Sequence, residues 1–355
     1  MNRRDMLRFA AGGFSAATLA SAGRLLGSTS AERTPLGVCV YCLGIRSRAE
    51  RARGTPADFT DPLSFLEYCR QLGAGGIQLP LGTKDEAYTV KLRRRAEDLG
   101  MFIEGIAGLP RDRADVERFE AEVRTAKGAG ANVIRVVIIP GRRYERFDSA
   151  DEFRKLAERG LRSLELAEPV AARHGVRLAV ENHKDERVPE RLALFERISS
   201  EHVGACVDVG NSFTLLEDPM EVVEAYAPWA FSVHLKDQAV GEYDDGFLFA
   251  DVPLGEGFLD LAKMVETLRA ASPQVRFSLE MITRDPLEVP CLTEKYWATL
   301  ADVRGRDLAR TLRVVRAHAC ERLPQISGLP LDEQARREEE NVKKCLAYAG
   351  HSLGL

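Results

Sequence analysis

From Leu36 onward, short apolar runs alternate with longer stretches of helical periodicity, the pattern of successive parallel βαβ units. Eight runs read as strands: 37–43, 76–79, 102–106, 133–139, 177–181, 204–208, 231–235 and 276–281. Several are apolar at nearly every position, as strands covered on both faces must be, and Val133-Ile134-Arg135-Val136-Val137-Ile138-Ile139 is the clearest. The spacing predicts helices over 63–72, 84–99, 113–130, 150–174, 189–199, 219–226, 259–271 and 307–319. Asp61-Pro62 and Asp218-Pro219 each set a capping side chain before a proline suited to the first helical position, and Gly73, Gly100 and Gly130 stand where helices should stop. Eight such units predict an α/β fold of the (β/α)8 TIM-barrel type. A doubly wound open sheet is the alternative, and no GxGxxG follows the first strand to support it.

Two connections are too long for tight turns: 238–257 after the seventh strand, and 283–306 after the eighth, which carries Tyr296-Trp297. After Ala319 comes a charged segment, 331–348, expected as a terminal helix packed on the barrel or as part of an oligomer interface. The N-terminus differs from all this. Asn2-Arg3-Arg4-Asp5-Met6-Leu7-Arg8 is a twin-arginine pattern, followed by a mildly apolar run and a small-residue cleavage site at Ala20-Ser21-Ala22. The expected organisation is therefore an export signal and linker over 1–30, a barrel over 31–320 and a helical extension over 321–355. Export by the twin-arginine route would place the protein in the periplasm or outside the cell, with no stable membrane anchor once the signal is cleaved.

With 355 residues, 29% charged and 45% hydrophobic, the chain suits one barrel with additions at each end. A net charge of -4 argues against a protein built to neutralise a phosphate backbone, so no nucleic-acid partner is expected. The seven cysteines lack the paired spacing of a zinc knuckle or disulfide scaffold and read as buried thiols, although Cys320 and Cys345 could pair in an exported protein.

Four runs switch from apolar to polar at their ends. Leu178-Ala179-Val180 leads into Glu181-Asn182-His183, Ala205-Cys206-Val207 into Asp208-Val209-Gly210-Asn211, Phe231-Ser232-Val233 into His234-Leu235-Lys236-Asp237, and Phe277-Ser278-Leu279 into Glu280-Met281. The C-terminal ends of consecutive barrel strands form one rim, so Glu181, Asp208, His234 and Glu280 can converge. Three crowded carboxylates would repel one another, and a divalent cation removes that conflict. Mn²⁺ is the first expectation, with Mg²⁺, Co²⁺ or Zn²⁺ as alternatives. Taken singly, each Glu or Asp reads more readily as a cap or salt-bridge partner, and the His as a satisfied core residue, than as a ligand. Lys236 suits a developing enolate oxygen or a rim salt bridge, and His183 a substrate contact or proton carrier. Asn182, Asn211 and Asp237 suit hydroxyl recognition, and Trp297 stacking on a sugar face or local packing. Glu104, which breaks an apolar strand, would line the barrel mouth or serve as a buried hydrogen-bonding partner.

The segments AVENHKD, CVDVGN, SVHLKD and SLEMI resemble those of the xylose-isomerase-like barrels, the sugar isomerase and epimerase superfamily. In the ketose 3-epimerase branch a Glu, Asp, His, Glu quartet holds the metal, and its two Glu exchange protons on opposite faces of the substrate carbon. By position the resemblance implies Glu181 and Glu280 as the acid/base pair and Asp208 and His234 as ligands. The chain departs in carrying Asn211 where those epimerases usually have a His. The expected function is thus a metal-dependent isomerase or epimerase acting on a free or glycosidic keto-sugar. A 3-keto-glycoside lyase working by β-elimination, or a non-catalytic carbohydrate-binding barrel, is the alternative. The expected partner is a small carbohydrate, with homo-oligomerisation left open.

Overall fold

The apolar runs pair with one another as strands buried on both faces should, and eight of them close into a parallel barrel. A computed structural model describes residues 33–54 and 59–355. The expected export signal, 1–30, lies outside the described residues. In chain order the elements are β1 (Gly37–Cys39), α1 (Gly44–Arg53), α2 (Pro62–Leu72), β2 (Gly76–Pro80), α3 (Glu86–Leu99), β3 (Phe102–Ile106), α4 (Val116–Gly128), β4 (Val133–Val136), α5 (Arg143–Arg146), α6 (Ala150–His174), β5 (Arg177–Glu181), α7 (Val188–Ile198), β6 (Val203–Asp208), α8 (Pro219–Tyr226) and β7 (Ala230–Leu235). They continue with β8 (Asp237–Tyr243), β9 (Gly246–Val252), α9 (Leu261–Ala271), β10 (Arg276–Leu279), β11 (Leu287–Val289), α10 (Glu294–Trp297), α11 (Gly305–His318) and α12 (Leu331–Ser352). The barrel order is β1-β10-β7-β6-β5-β4-β3-β2.

The expected capping chemistry operates where it was read. Asp61 accepts from the Ser64 N–H at 2.9 Å, and Asp218 from Met220 and Glu221 at 2.9 and 3.2 Å. Gly73 and Gly100 close α2 and α3 with φ of 92° and 61°, a region costly for a residue with a Cβ.

Four expectations are corrected. The first strand stops at Cys39 instead of running to residue 43: β10 ends at Leu279 and offers β1 no further partners, so Val40–Leu43 turns into a 3₁₀ helix. The connection after β7 is not a plain loop. Strands β8 and β9 form an antiparallel hairpin joined by Asp244-Asp245, and β11 adds a third strand. Phe247 and Phe249 of this sheet pack on Phe213, forming a second apolar cluster with Tyr296. The helix at 305–318 covers this extra sheet through β8 and β9. The eighth helical position belongs instead to α12, whose Val342, Cys345, Leu346 and Ala349 join the barrel's own core. Helix α1, which periodicity left unassigned, packs against it. Glu338 of α12 accepts the free backbone N–H groups of Ile45 and Arg46 at 2.9 and 2.7 Å, capping α1 from another element. Cys345 is buried and Cys320 exposed, and both are free thiols. No helix of the described residues is long and apolar enough to cross a membrane.

Candidate metal centre

Strand register brings the four strand-terminal residues together. Asp208 on β6 lies directly opposite His234 on β7, Glu181 ends β5 beside Cys206, and Glu280 continues the β10 ladder by donating its N–H to Leu235 O at 2.9 Å. One donor atom from each of Glu181, Asp208, His234 and Glu280 lies within 4.8 Å of the others, and all four side chains are buried. His234 Nδ1 is 3.5 Å from Glu181 Oε1, 3.4 Å from Glu280 Oε2 and 4.0 Å from Asp208 Oδ2. Donors bound at about 2.1 Å to one ion stand about 3–4 Å apart, so this spacing fits a divalent cation.

The imidazole is prepared for that role from below. Its Nε2 meets Gln78 Oε1 at 2.6 Å, and because a carbonyl oxygen only accepts, the proton belongs on Nε2. Nδ1 is then the nitrogen left for a cation, buried with no hydrogen-bond partner and three carboxylates around it. Gln78 is held in turn by donating to Glu104 Oε2 at 2.9 Å, to which Ser232 Oγ also donates at 2.6 Å. Such partners orient a metal-binding histidine. Burial raises Glu104 to about 6.

Two cations serve the carboxylates. Lys236 Nζ lies 2.6 Å from Glu280 Oε2 and 2.8 Å from Asp208 Oδ2, and Arg135 is paired with Glu181. Burial pushes all three acids up; Arg135 overcomes it at Glu181, and Lys236 and His234 overcome it at Glu280, so both stay below the usual carboxylate range. At Asp208 burial prevails over Lys236 and holds the acid at about 6. Burial opposes the charged form of His234, but Cys206, Glu280 and Glu181 raise it well above its ordinary value, so a cation arriving at Nδ1 would displace a proton.

The remaining expected site residues divide. His183 lies close enough to Glu181 and Glu280 to feel their charge, and its buried Nδ1 has no partner; burial lowers its pKa and keeps the ring neutral. Asn182 is spent on the scaffold, exchanging two 2.8 Å hydrogen bonds with the Asp208 backbone, which staple β5 to β6. Asn211 is fully buried: it accepts from Lys184 and donates toward Glu181 Oε1 at 3.3 Å. Asp237 is taken up by the backbone. Its two oxygens accept four backbone N–H groups, from Gln238, Leu259, Gly255 and Gly257, at 2.8–3.2 Å, and so clamp the segment after the hairpin. Glu104 sits under the quartet as the buried partner of Gln78 and Ser232 and not at the mouth. Trp297 packs in the second apolar cluster, with its indole N–H on Cys291 O at 2.9 Å and its ring against Tyr296.

Four residues were missed: Arg135, Gln78, Lys184 and Tyr41. The signals were present, since Arg135 and Gln78 are polar breaks in apolar strands. Lys184 follows Glu181, the candidate ligand on strand five, by three positions. Tyr41, with 42% of its surface exposed, lies beyond β1 with its ring 5.8 Å from the Arg135 guanidinium.

A model of the xylose isomerase-like TIM barrel matches residues 66–303. The chain belongs to that family. One curated relative is a 3-oxo-isoapionate decarboxylase from Pectobacterium atrosepticum, 27% identical over 243 residues that cover 66% of this chain and 83% of the relative. Among solved structures, a D-psicose 3-epimerase matches with a TM-score of 0.57 at 16% identity, covering 91% of this chain and all of that one. An L-ribulose 3-epimerase matches with a TM-score of 0.54 at 18% identity, covering 90% and 94%. At these identities the structural likenesses speak for the fold alone.

Proposed function

We propose that the chain is a divalent-metal-dependent isomerase or epimerase that moves a proton beside the carbonyl of a keto-sugar. The observation that carries the reading is the unpartnered Nδ1 of His234, buried among Glu181, Asp208 and Glu280 with its tautomer set by Gln78. Glu181, Asp208, His234 and Glu280 would hold the ion, with Mn²⁺ the first expectation. When bound, the ion supplies Lewis acidity that polarises the carbonyl and makes the neighbouring C–H more acidic.

The protein's own groups supply the rest. Glu280 lies at the open edge of the quartet with Oε2 fixed by Lys236, which leaves Oε1 to take the proton from carbon. Lys236 keeps Glu280 ionised and remains an ammonium, because Asp208 and Glu280 outweigh its burial. His183 Nδ1 is free to hold a substrate hydroxyl. In an epimerase Glu181 would return the proton to the opposite face. The twin-arginine pattern in 1–30 supports export to the periplasm or beyond, which favours an unphosphorylated sugar.

A lyase is the second reading, and one observation favours it. Arg135 neutralises Glu181, leaving Glu280 as the better proton carrier, and elimination or decarboxylation needs only one. The decarboxylase relative points the same way. The test is proton exchange in D₂O with Mn²⁺-loaded protein and ketoses or 3-keto-glycosides. Deuterium in substrate and in an isomeric sugar, lost in Glu280→Gln, supports the first reading; release of aglycone or CO₂ supports the second. Metal uptake with neither product from either substrate class would refute the isomerase assignment.

A further inference from the structure

Lys184 is a charge without an ionic partner. Its side chain is buried, its Nζ donates to the neutral Asn211 amide, and no described carboxylate forms an ion pair with it. A buried ammonium normally costs several kcal/mol unless an anion offsets it. The other cations near it are occupied: Lys236 by Asp208 and Glu280, and Arg284 by Asp251 at 2.9 Å. Burial, then Lys236 and Arg284, pull Lys184 down to about 8, so it is still mostly charged at neutral pH.

The charge balance of the whole site points the same way. Glu181 is paired with Arg135, and Asp208 and Glu280 share Lys236, so these two cations leave one carboxylate charge over and Lys184 outside the pairs. With a divalent ion in the quartet, the ion, Arg135, Lys236 and Lys184 together exceed the three carboxylates by two positive charges. Two negative charges on the substrate would restore neutrality: one already present, and one that develops on the carbonyl oxygen as the proton leaves. Lys184 reaches the quartet through Asn211, whose Nδ2 donates to Glu181, so the ammonium stands beside the reacting region and not on a remote surface.

We propose that Lys184 receives a carboxylate of the substrate, which makes the substrate a keto-sugar acid and not a neutral keto-sugar. This rests on the metal-dependent reading above and narrows it. A carboxylate fits a single ammonium already holding one neutral acceptor, whereas a phosphate dianion would call for more free donors than this corner offers.

The test compares binding of D-xylonate, xylitol and inorganic phosphate to the full chain by calorimetry, with and without Mn²⁺. Xylonate is expected to bind at least about tenfold tighter than xylitol, a difference of about 1.4 kcal/mol. Lys184→Gln should erase the preference, and Lys184→Arg should keep most of it. The metal-free Lys184→Gln protein should melt no lower than the parent, because an uncompensated buried charge has been removed; a structural lysine would give a lower melting temperature. Equal affinities, no xylonate binding at millimolar concentration, tighter binding of phosphate, or a preference that survives Lys184→Gln would each overturn the proposal. Failure to take up Mn²⁺ would instead remove the proposed function, and Lys184 would then be judged from the metal-free titrations alone. If Lys184→Gln does not fold, Lys184→Met answers the same question with a side chain of similar volume.

Discussion

Replacing Gln78 with Leu isolates the preparation of His234 from the ligands themselves. Gln78 is fully buried; it accepts from His234 Nε2 at 2.6 Å and donates to Glu104 at 2.9 Å. Leucine of similar volume leaves little cavity, so the cost comes from lost partners. The His234 N–H becomes an unsatisfied buried donor, worth about 1–3 kcal/mol of stability, while Glu104 keeps its bond from Ser232. Losing the group that fixes the tautomer should also weaken metal binding by about 10–100-fold, which is about 1.4–2.7 kcal/mol. Urea unfolding of the metal-free protein reads the first quantity, and calorimetric titration with Mn²⁺ reads the second. A variant that loses stability yet binds Mn²⁺ within about threefold of the parent would refute the reasoning, because Gln78 would then be packing and not positioning.

Arg135→Met leaves Glu181 buried without its counter-charge and should destabilise the metal-free protein by about 3–5 kcal/mol, with part of the loss recovered on adding Mn²⁺; urea unfolding with and without metal reads both. Asp237→Asn removes one of two accepting oxygens from a clamp on four N–H groups and should cost about 1–3 kcal/mol, seen as faster amide exchange at 255–259. Burial raises Glu217 from 4.5 to about 7, so its neutral form favours folding: the contribution is complete below pH 4.5 and is lost as pH rises through 7. Glu217→Gln should therefore flatten the fall in stability between pH 5 and 8 by on the order of 3 kcal/mol, and an unchanged pH profile of the melting temperature would contradict this.

Much of the barrel was legible because its signals are local. An apolar run covered on both faces, a capping aspartate before proline and a glycine at a helix end each act within a few residues, and they located all eight barrel strands and most helices. The quartet was visible for the same reason: each member is an abrupt polar residue at the end of an apolar run. Arg135 escaped because the run around it is so strongly apolar, although an arginine buried there requires an anion. The hairpin carried its own signal in Asp245-Gly246 between two apolar stretches, overlooked in favour of a long loop.

What only the tertiary structure decided was which distant groups answer each other. Sequence by itself determined the fold class and the four strand-end residues, since both follow from periodicity and from where hydrophobic runs stop. It could not tell that Gln78 and Glu104 stand under His234, that Asp237 holds a loop about twenty residues ahead, or that α12 closes the barrel while α11 covers an added sheet. Nor could it tell that Lys184 meets an asparagine and not a carboxylate. Hydrogen bonds and ion pairs act over about 3 Å in space irrespective of separation along the chain, so those assignments exist only once the barrel has closed and the register has brought the side chains together.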